Sequence, residues 1–305
     1  MGSKMRVGVI GARGYAGREL VRLLGSHPGL ELGLATSSAE HGREVRPGLL
    51  FEDPTRVNLE AAKLDAVVLA LPNGESAGWV QRIAPACPIV DLSADHRFDD
   101  AWIYGQPERH RGAIRGAHRV ANPGCYATAM QLAIAPFLSL IEGPVHAFGV
   151  SGFSGAGSTP SPKNDPEVLR DNLFPYALVD HVHEREVTRQ LAHPVRLLPH
   201  VAPFFRGLSV TISFFLRALH DRAALQERLR SRFEDEPLVR VTDEAPLVRD
   251  IVLHHEVRIG GLEVSSDRTR VALVATIDNL LGGAATQALR NLNLMLGHDE
   301  RAGIE

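Results

Sequence analysis

The chain holds two cysteines, Cys87 and Cys125, and their surroundings separate them. Cys125 follows Asn122-Pro123-Gly124 and precedes Tyr126-Ala127-Thr128-Ala129, a turn that opens into a run of good helix formers. A thiol at a helix N-terminus meets backbone N–H groups and the positive end of the dipole, which favour the thiolate and can hold an oxyanion on an attacked carbonyl. Cys125 is therefore the candidate nucleophile, although taken alone it would equally suit a buried structural thiol. Cys87, in Ala86-Cys87-Pro88 beside an apolar strand, reads as a small inert hydrophobe. Acyl chemistry on a thiol also needs a proton carrier. His181-Val182-His183-Glu184-Arg185-Glu186 offers two imidazoles beside carboxylates that could orient them. With 14 histidines in the chain, position by itself does not choose between these two. Histidines two apart also serve as metal ligands, but no third ligand stands nearby and no metal is expected. Arg206, in a loop ahead of a strand, suits an anionic substrate, with a plain surface arginine as the alternative.

Two glycine turns complete the chemistry. Gly11-Ala12-Arg13-Gly14-Tyr15-Ala16-Gly17 lies between an apolar strand and a helix-period segment, where glycines let backbone amides approach a pyrophosphate at the helix start. An NAD site usually ends its second strand in Asp or Glu, whereas this strand runs into Thr36-Ser37-Ser38. NADP is favoured: Ser37 and Ser38 can donate to a 2′-phosphate, and Arg13 or Arg43 can add positive charge. Glu31 stands at the wrong end of that strand for a ribose ligand. The second turn, Ser151-Gly152-Phe153-Ser154-Gly155-Ala156-Gly157-Ser158, could cradle a phosphate or the nicotinamide end of the cofactor, or be an inter-domain loop.

These residues need a scaffold, and 305 residues with 44% apolar content suffice for two cored domains. Strands over 5–10, 30–36, 66–71 and 89–92 alternate with helices over 15–24 and after Pro72-Asn73-Gly74. That grammar predicts a parallel sheet between helices. From about Val145 the strands lengthen, as in 208–216 and 270–277, with fewer helices between them, and residues 283–296 return to helical spacing. The expected class is α/β, with a Rossmann-type parallel-sheet domain over 1–124 and 281–305 that binds NADP. An α+β catalytic and substrate domain over 125–280 carries a mixed or antiparallel sheet. A net charge of −3 without a basic run gives no footprint for nucleic acid or membrane, so the partner is a small molecule. Two cysteines exclude a disulfide framework, and no stretch of about 18 apolar residues or signal-peptide core occurs; the expected location is the cytoplasm.

Taken together, the motifs resemble the N-acetyl-gamma-glutamyl-phosphate reductase family of arginine biosynthesis, a relative of aspartate-semialdehyde dehydrogenase. The likeness spans nearly the whole chain. Its carriers are the turn at Gly11–Gly17, Ala70-Leu71-Pro72-Asn73-Gly74, Asp91-Leu92-Ser93-Ala94-Asp95, Tyr104-Gly105-Gln106-Pro107-Glu108, Asn122-Pro123-Gly124-Cys125-Tyr126, the turn at Ser151–Gly157, Pro199-His200 with Arg206-Gly207, and Asp278-Asn279-Leu280. The wording from Tyr176 to Val187 is similar to the shorter branch of the family seen in xanthomonads. The resemblance implies reduction of an acyl phosphate to an aldehyde through a thioester on Cys125. It implies a histidine acid/base in the 181–183 motif, of which His183 is preferred. NADP is implied at Gly11, Arg13, Gly14, Tyr15, Ala16, Gly17, Ser37, Ser38, Pro72, Ser154 and Asn279. Substrate contacts are expected at Ser93, Asn122 and Arg206, and a homo-oligomer, tetramer or dimer, is expected. One departure stands out. Relatives read Asp-Asn-Leu-x-Lys-Gly-Ala-Ala where this chain has Asp278-Asn279-Leu280-Leu281-Gly282-Gly283-Ala284-Ala285. Other acyl phosphates (N-succinyl-glutamyl, aminoadipyl, aspartyl), a non-catalytic NADPH sensor and a cysteine hydrolase are the alternatives, the last leaving the nucleotide turn unexplained.

Overall fold

A computed structural model describes residues 3–304; Met1, Gly2 and Glu305, the outermost residues of the expected nucleotide domain, lie outside the described residues. The chain forms two compact units, one of residues 3–124 with 284–304 and one of Cys125–Gly283.

In the first unit β1 (Met5–Ile10) buries Val7, Val9 and Ile10, and leads through the glycine turn into α1 (Tyr15–Ser26) and β2 (Leu30–Ala35). A short hairpin, β3 (Glu44–Arg46) and β4 (Leu49–Leu50), precedes β5 (Ala66–Leu69), all four residues of which are buried. Then come α2 (Ser76–Arg82), β6 (Ile89–Asp91), β7 (Ile103–Tyr104), α3 (Pro107–Ile114) and β8 (Arg119–Ala121). The six longer-range partners form one parallel sheet in the order β2-β1-β5-β6-β8-β7. Strands buried on both faces are what continuous apolar runs such as 66–69 dictate.

The second unit opens with α4 (Cys125–Ile134) and β9 (Ile141–Gly152). It continues through α5 (Pro166–Leu169), β10 (Phe174–Pro175), α6 (Val182–Leu191), β11 (Val195–Ala202) and β12 (Leu208–Leu216). After α7 (Arg222–Phe233) come β13 (Val239–Val241), β14 (Val257–Val264) and β15 (Arg270–Ile277). Its sheet runs β10-β11-β9-β12-β15-β14-β13 and is mixed: β9 and β11 pair in parallel, while β12 is antiparallel to both β9 and β15. Strict alternation in β12 sends Leu208, Val210, Ile212, Phe214 and Leu216 inward. They join Tyr126, Met130 and Phe137 in one core, each such side chain stabilising the fold by roughly 1.5–3 kcal/mol.

The return to the first unit falls after Gly283, three residues beyond the expected position. Asp278 explains it. Its carboxylate accepts the amides of Leu280 (2.9 Å) and Leu281 (3.1 Å), and its carbonyl accepts Gly283 N–H (2.9 Å), which keeps these residues with β15. Residues Leu281–Ala285 therefore make a π-helical turn, and α8 (Thr286–Met295) starts later than the helical spacing from Gly283 suggests. Within the first unit α8 packs against α1 and α3. Among the described residues no helix is long and apolar enough to cross a membrane.

Candidate active site

The first glycine turn is built by close approach. Gly11 has φ +81°, and a Cβ there would collide with the Ala70 carbonyl oxygen, so only glycine fits. A Cβ on Gly17 would lie 2.6 Å from the Gly11 oxygen, so its absence lets α1 descend onto the turn. Thr36, just past β2, fixes the turn from the other side: its Oγ1 accepts Gly11 N–H (3.2 Å) and its carbonyl accepts Ala12 N–H (3.1 Å). No side chain caps α1 at Gly14 and no acidic residue stands in its first turn, so its dipole favours an anion there. The Ser37 hydroxyl is buried and accepts Glu40 N–H at 3.0 Å; Ser38 and Arg43 are exposed, and Arg13 is half-buried. Arg18 spans the region, donating to the Arg13 carbonyl (2.8 Å) and to Glu40 (3.1 Å). A cavity of about 370 Å³ opens beside them, lined by Ala12, Arg18, Arg22, Glu40, Val45 and Phe51 among others. A turn shaped this way, with serines and arginines around it, fits a dinucleotide that carries an extra phosphate.

In the second unit Cys125 is the first residue of α4 and is partly buried. Gly283 is held against it: a Cβ on Gly283 would lie 2.6 Å from the Cys125 Cβ. The next residue, Tyr126, is buried, donates to the His200 carbonyl at 3.4 Å, and sets its ring 6.1 Å from that of His183. The ring of His181 stands 4.9 Å from that of His183 and 5.5 Å from Tyr176. His181 is the N-cap of α6, its Nδ1 accepting His183 N–H at 3.1 Å. Burial, and secondarily the charge of Lys163, lowers its pKa to about 4. It is thus neutral at ordinary pH and engaged in a cap. Burial likewise pushes the phenols of Tyr126 and Tyr176 upward, so both stay protonated. Cys87 packs in the other unit's core, where burial raises its thiol pKa.

Asp278 organises the loops of this second unit. Fully buried, it pairs with Arg206 (Nε at 2.8 Å, Nη2 at 3.0 Å) and also accepts Leu253 N–H at 2.7 Å. Its neighbour Asn279 accepts Gly207 N–H (2.7 Å) and donates to the Ser154 hydroxyl (2.9 Å). The glycine-rich turn 152–157, the Arg206 loop and the 278–283 turn are thereby tied together.

Two family models match the chain: "Semialdehyde dehydrogenase, NAD binding domain" over residues 6–117 and "Semialdehyde dehydrogenase, dimerisation domain" over 125–279. The N-acetyl-gamma-glutamyl-phosphate reductase of Xanthomonas oryzae pv. oryzae is 50% identical over 308 residues, 98% of each chain. That of Stenotrophomonas maltophilia is 49% identical, covering 99% of this chain and 98% of its own. The chain belongs to the N-acetyl-gamma-glutamyl-phosphate reductase family. Among solved structures, aspartate semialdehyde dehydrogenase II from Vibrio cholerae shares the fold at TM-score 0.82 and 18% identity, over 97% of this chain and 99% of that one. Aspartate semialdehyde dehydrogenase with NADP from Candida albicans does so at TM-score 0.73 and 16% identity, over 99% of each.

In this family member Gly282 stands where relatives were expected to carry lysine. A Cβ there would lie 2.8 Å from the His255 carbonyl oxygen and 3.0 Å from Ile277 Cγ1, so a side chain requires that strand end to move. Ser93 sits in a buried network of the first unit, donating to Asp91 (2.8 Å) and accepting Asp95 N–H (3.1 Å). Asp95 in turn accepts Gly74 and Ser76 N–H, and so shapes the loop after the exposed Pro72. Asn122 is likewise buried, with protein partners described below. Sequence reasoning missed Asp91, Asp95, Arg18, Asp278 and Gly283 as site builders. Asp278 and Gly283 lie inside a motif legible in the sequence, but a contact with Arg206 or Cys125 leaves no mark on local spacing. Among the described residues no cluster of three or more His, Cys, Asp or Glu could hold a metal.

Proposed function

We propose that this protein reduces N-acetyl-gamma-glutamyl phosphate to N-acetylglutamate semialdehyde with NADPH, releasing phosphate, in arginine biosynthesis. The observation that carries the reading is Cys125 at the first residue of α4, with Gly283 against it and its neighbour Tyr126 in contact with His183. The Cys125 thiolate attacks the acyl carbon; the C–S bond forms, the C–O bond to phosphate breaks, and inorganic phosphate leaves with the electron pair. The helix-start amides stabilise the oxyanion formed on the way. NADPH, when bound, supplies the hydride that reduces the thioester. His183 gives the proton that makes the thiohemiacetal hydroxyl and takes it back as the C–S bond breaks, freeing aldehyde and thiolate. Gly11, Gly14, Tyr15, Ala16 and Gly17 hold the pyrophosphate, and Ser37, Ser38 and Arg13 the 2′-phosphate. Pro72, Ser154 and Asn279 serve the rest of the nucleotide. Arg206, oriented by Asp278, meets the substrate's anionic groups, and Ser93 is a further candidate for them. The enzyme works as a homo-oligomer in the cytoplasm.

Acylation tests this directly. Acyl phosphate supplied without NADPH should leave the protein heavier by one acyl group, located on Cys125 by peptide mass spectrometry. NADPH should then release aldehyde in a single turnover, and should bind at least about 10-fold better than NADH. Turnover surviving in Cys125→Ala, or the acyl group found on Cys87, would refute the mechanism. Acylation by N-succinyl-glutamyl, aminoadipyl or aspartyl phosphate in preference would reassign the substrate, and NADPH binding without acylation by any of them would indicate a sensor.

A further inference from the structure

Asn122 was expected to touch substrate, yet every polar group it has is taken by protein. Its N–H donates to the Asp91 carbonyl (2.7 Å) and its carbonyl accepts Arg97 Nε (2.8 Å). Its Oδ1 accepts Asn291 Nδ2 (3.0 Å), and its Nδ2 donates to the Pro123 carbonyl (3.3 Å). Asn291 belongs to α8 and is fully buried; the same Nδ2 also donates to the Gly105 carbonyl at 2.9 Å, which Gln287 Nε2 reaches too at 3.0 Å. Gly105 has no room for a side chain, since a Cβ would collide with the Asn291 amide, and its N–H donates to the Ala121 carbonyl at 2.8 Å. The preceding residue, Arg290, is buried and paired with Glu108 (2.6 Å) and Glu300 (2.5 Å), which fastens α8 to α3. A buried amide that loses a partner costs about 1–3 kcal/mol, so the two bonds that Asn291 Nδ2 donates, to Asn122 and Gly105, hold these segments in register.

We infer that Asn291, acting through Asn122, is a positioning residue for the nucleophile: α8, far away in sequence, fixes the backbone of 122–124 from which Cys125 projects. Asn122 then binds no substrate itself. The inference rests on Cys125 being the nucleophile, and a double-mutant cycle tests it with two readouts. Asn122→Ala and Asn291→Ala should each slow both turnover and iodoacetamide alkylation of Cys125 by about 10-fold or more, with NADPH affinity and substrate KM within about 3-fold. Because the two act as one unit, the double variant should be no slower than the slower single within about 3-fold. Gln287→Leu, which removes the other bond to Gly105 but none to Asn122, should leave both rates within about 3-fold of wild type. Asn291→Leu, close in size but unable to donate, serves where the alanine variants lose folded protein, and should show the same losses. A folded Asn291 variant with wild-type alkylation, singles whose effects multiply, or Asn122→Ala raising KM at unchanged kcat would overturn the inference. If wild-type protein turns over no acyl phosphate, the reductase reading fails while the alkylation cycle still decides the role of Asn291.

Discussion

His181 accepts the amide of His183 through Nδ1, and a ring used that way must carry its proton on Nε2 and stay neutral. Its pKa near 4, set by burial and then by Lys163, agrees with that role. His181 is thus taken up in starting α6, and His183, in ring contact with Tyr126, is the imidazole of the pair proposed as proton carrier. His181→Asn keeps a good cap and should hold kcat within about 3-fold, whereas His183→Asn should lower it by roughly 10² or more at unchanged NADPH affinity. The pH dependence has a definite sign. Below about 6.5 the unfolded chain takes up a proton that folded His181 refuses until about 4, so stability falls as pH drops through that window, by roughly 1.4 kcal/mol per pH unit. Thermal melts from pH 6.5 to 4.5 should therefore decline less steeply for His181→Asn than for wild type. A steeper decline, or an inactive His181→Asn beside an active His183→Asn, would exchange the two roles.

Elements meet at the start of α4, where the turn after β15 closes on Cys125. Gly283→Ala would force a Cβ to 2.6 Å from the Cys125 Cβ, so α4 or the turn must shift, and turnover should fall by about 10-fold or more with NADPH affinity unchanged. Gly25→Ala is the contrasting control. Nothing lies within 4 Å of a Cβ there, inside α1, and the substitution should stabilise the protein by roughly 0.5–1 kcal/mol without touching kcat. A fully active Gly283→Ala would show that the approach is not needed. The same contrast explains what the sequence made legible. Strands 5–10, 208–216 and 270–277 were readable to the residue because period-two or continuous apolar runs are local signals. So were the glycine turn and the helix start at Cys125. β7 and β10, two residues each, have no period to read and exist because a neighbour pairs with them. The site's supports are non-local in the same way: Arg206 meets Asp278 across 72 residues, and Asn291 meets Asn122 across 169.

At the scale of the whole molecule, the seven-stranded sheet presents two unlike faces. Its inner face lies in the core with α4, α6 and α7, but the outer face exposes Phe148 and Leu198 at 43% each and Phe215 at 53%. The register lines up Leu198, Phe148, Thr211 and Val274 in one row across β11, β9, β12 and β15. Large exposed apolar side chains gathered on one sheet face are a mark of an interface. The proposed homo-oligomer would place a second copy of this chain there, in a self-complementary contact of about 1,200–2,000 Å². Sedimentation should then give at least twice the 33.2 kDa chain mass at micromolar concentration. Phe148→Asp with Leu198→Asp should reduce it to the single-chain mass. Activity should follow assembly, because β9 alternates: Phe148 faces outward, and Gly149 presses on the Tyr126 ring, where a Cβ would lie 2.5 Å from Cε1. Loosening β9 on its outer face frees Tyr126 on the inner one, and with it the contact to His183. The dissociated variant should accordingly lose more in kcat than in NADPH affinity, since the proposed pyrophosphate and 2′-phosphate residues lie in the other unit. A wild-type protein that sediments as a monomer, or a dissociated variant with full kcat, would separate the sheet face from catalysis.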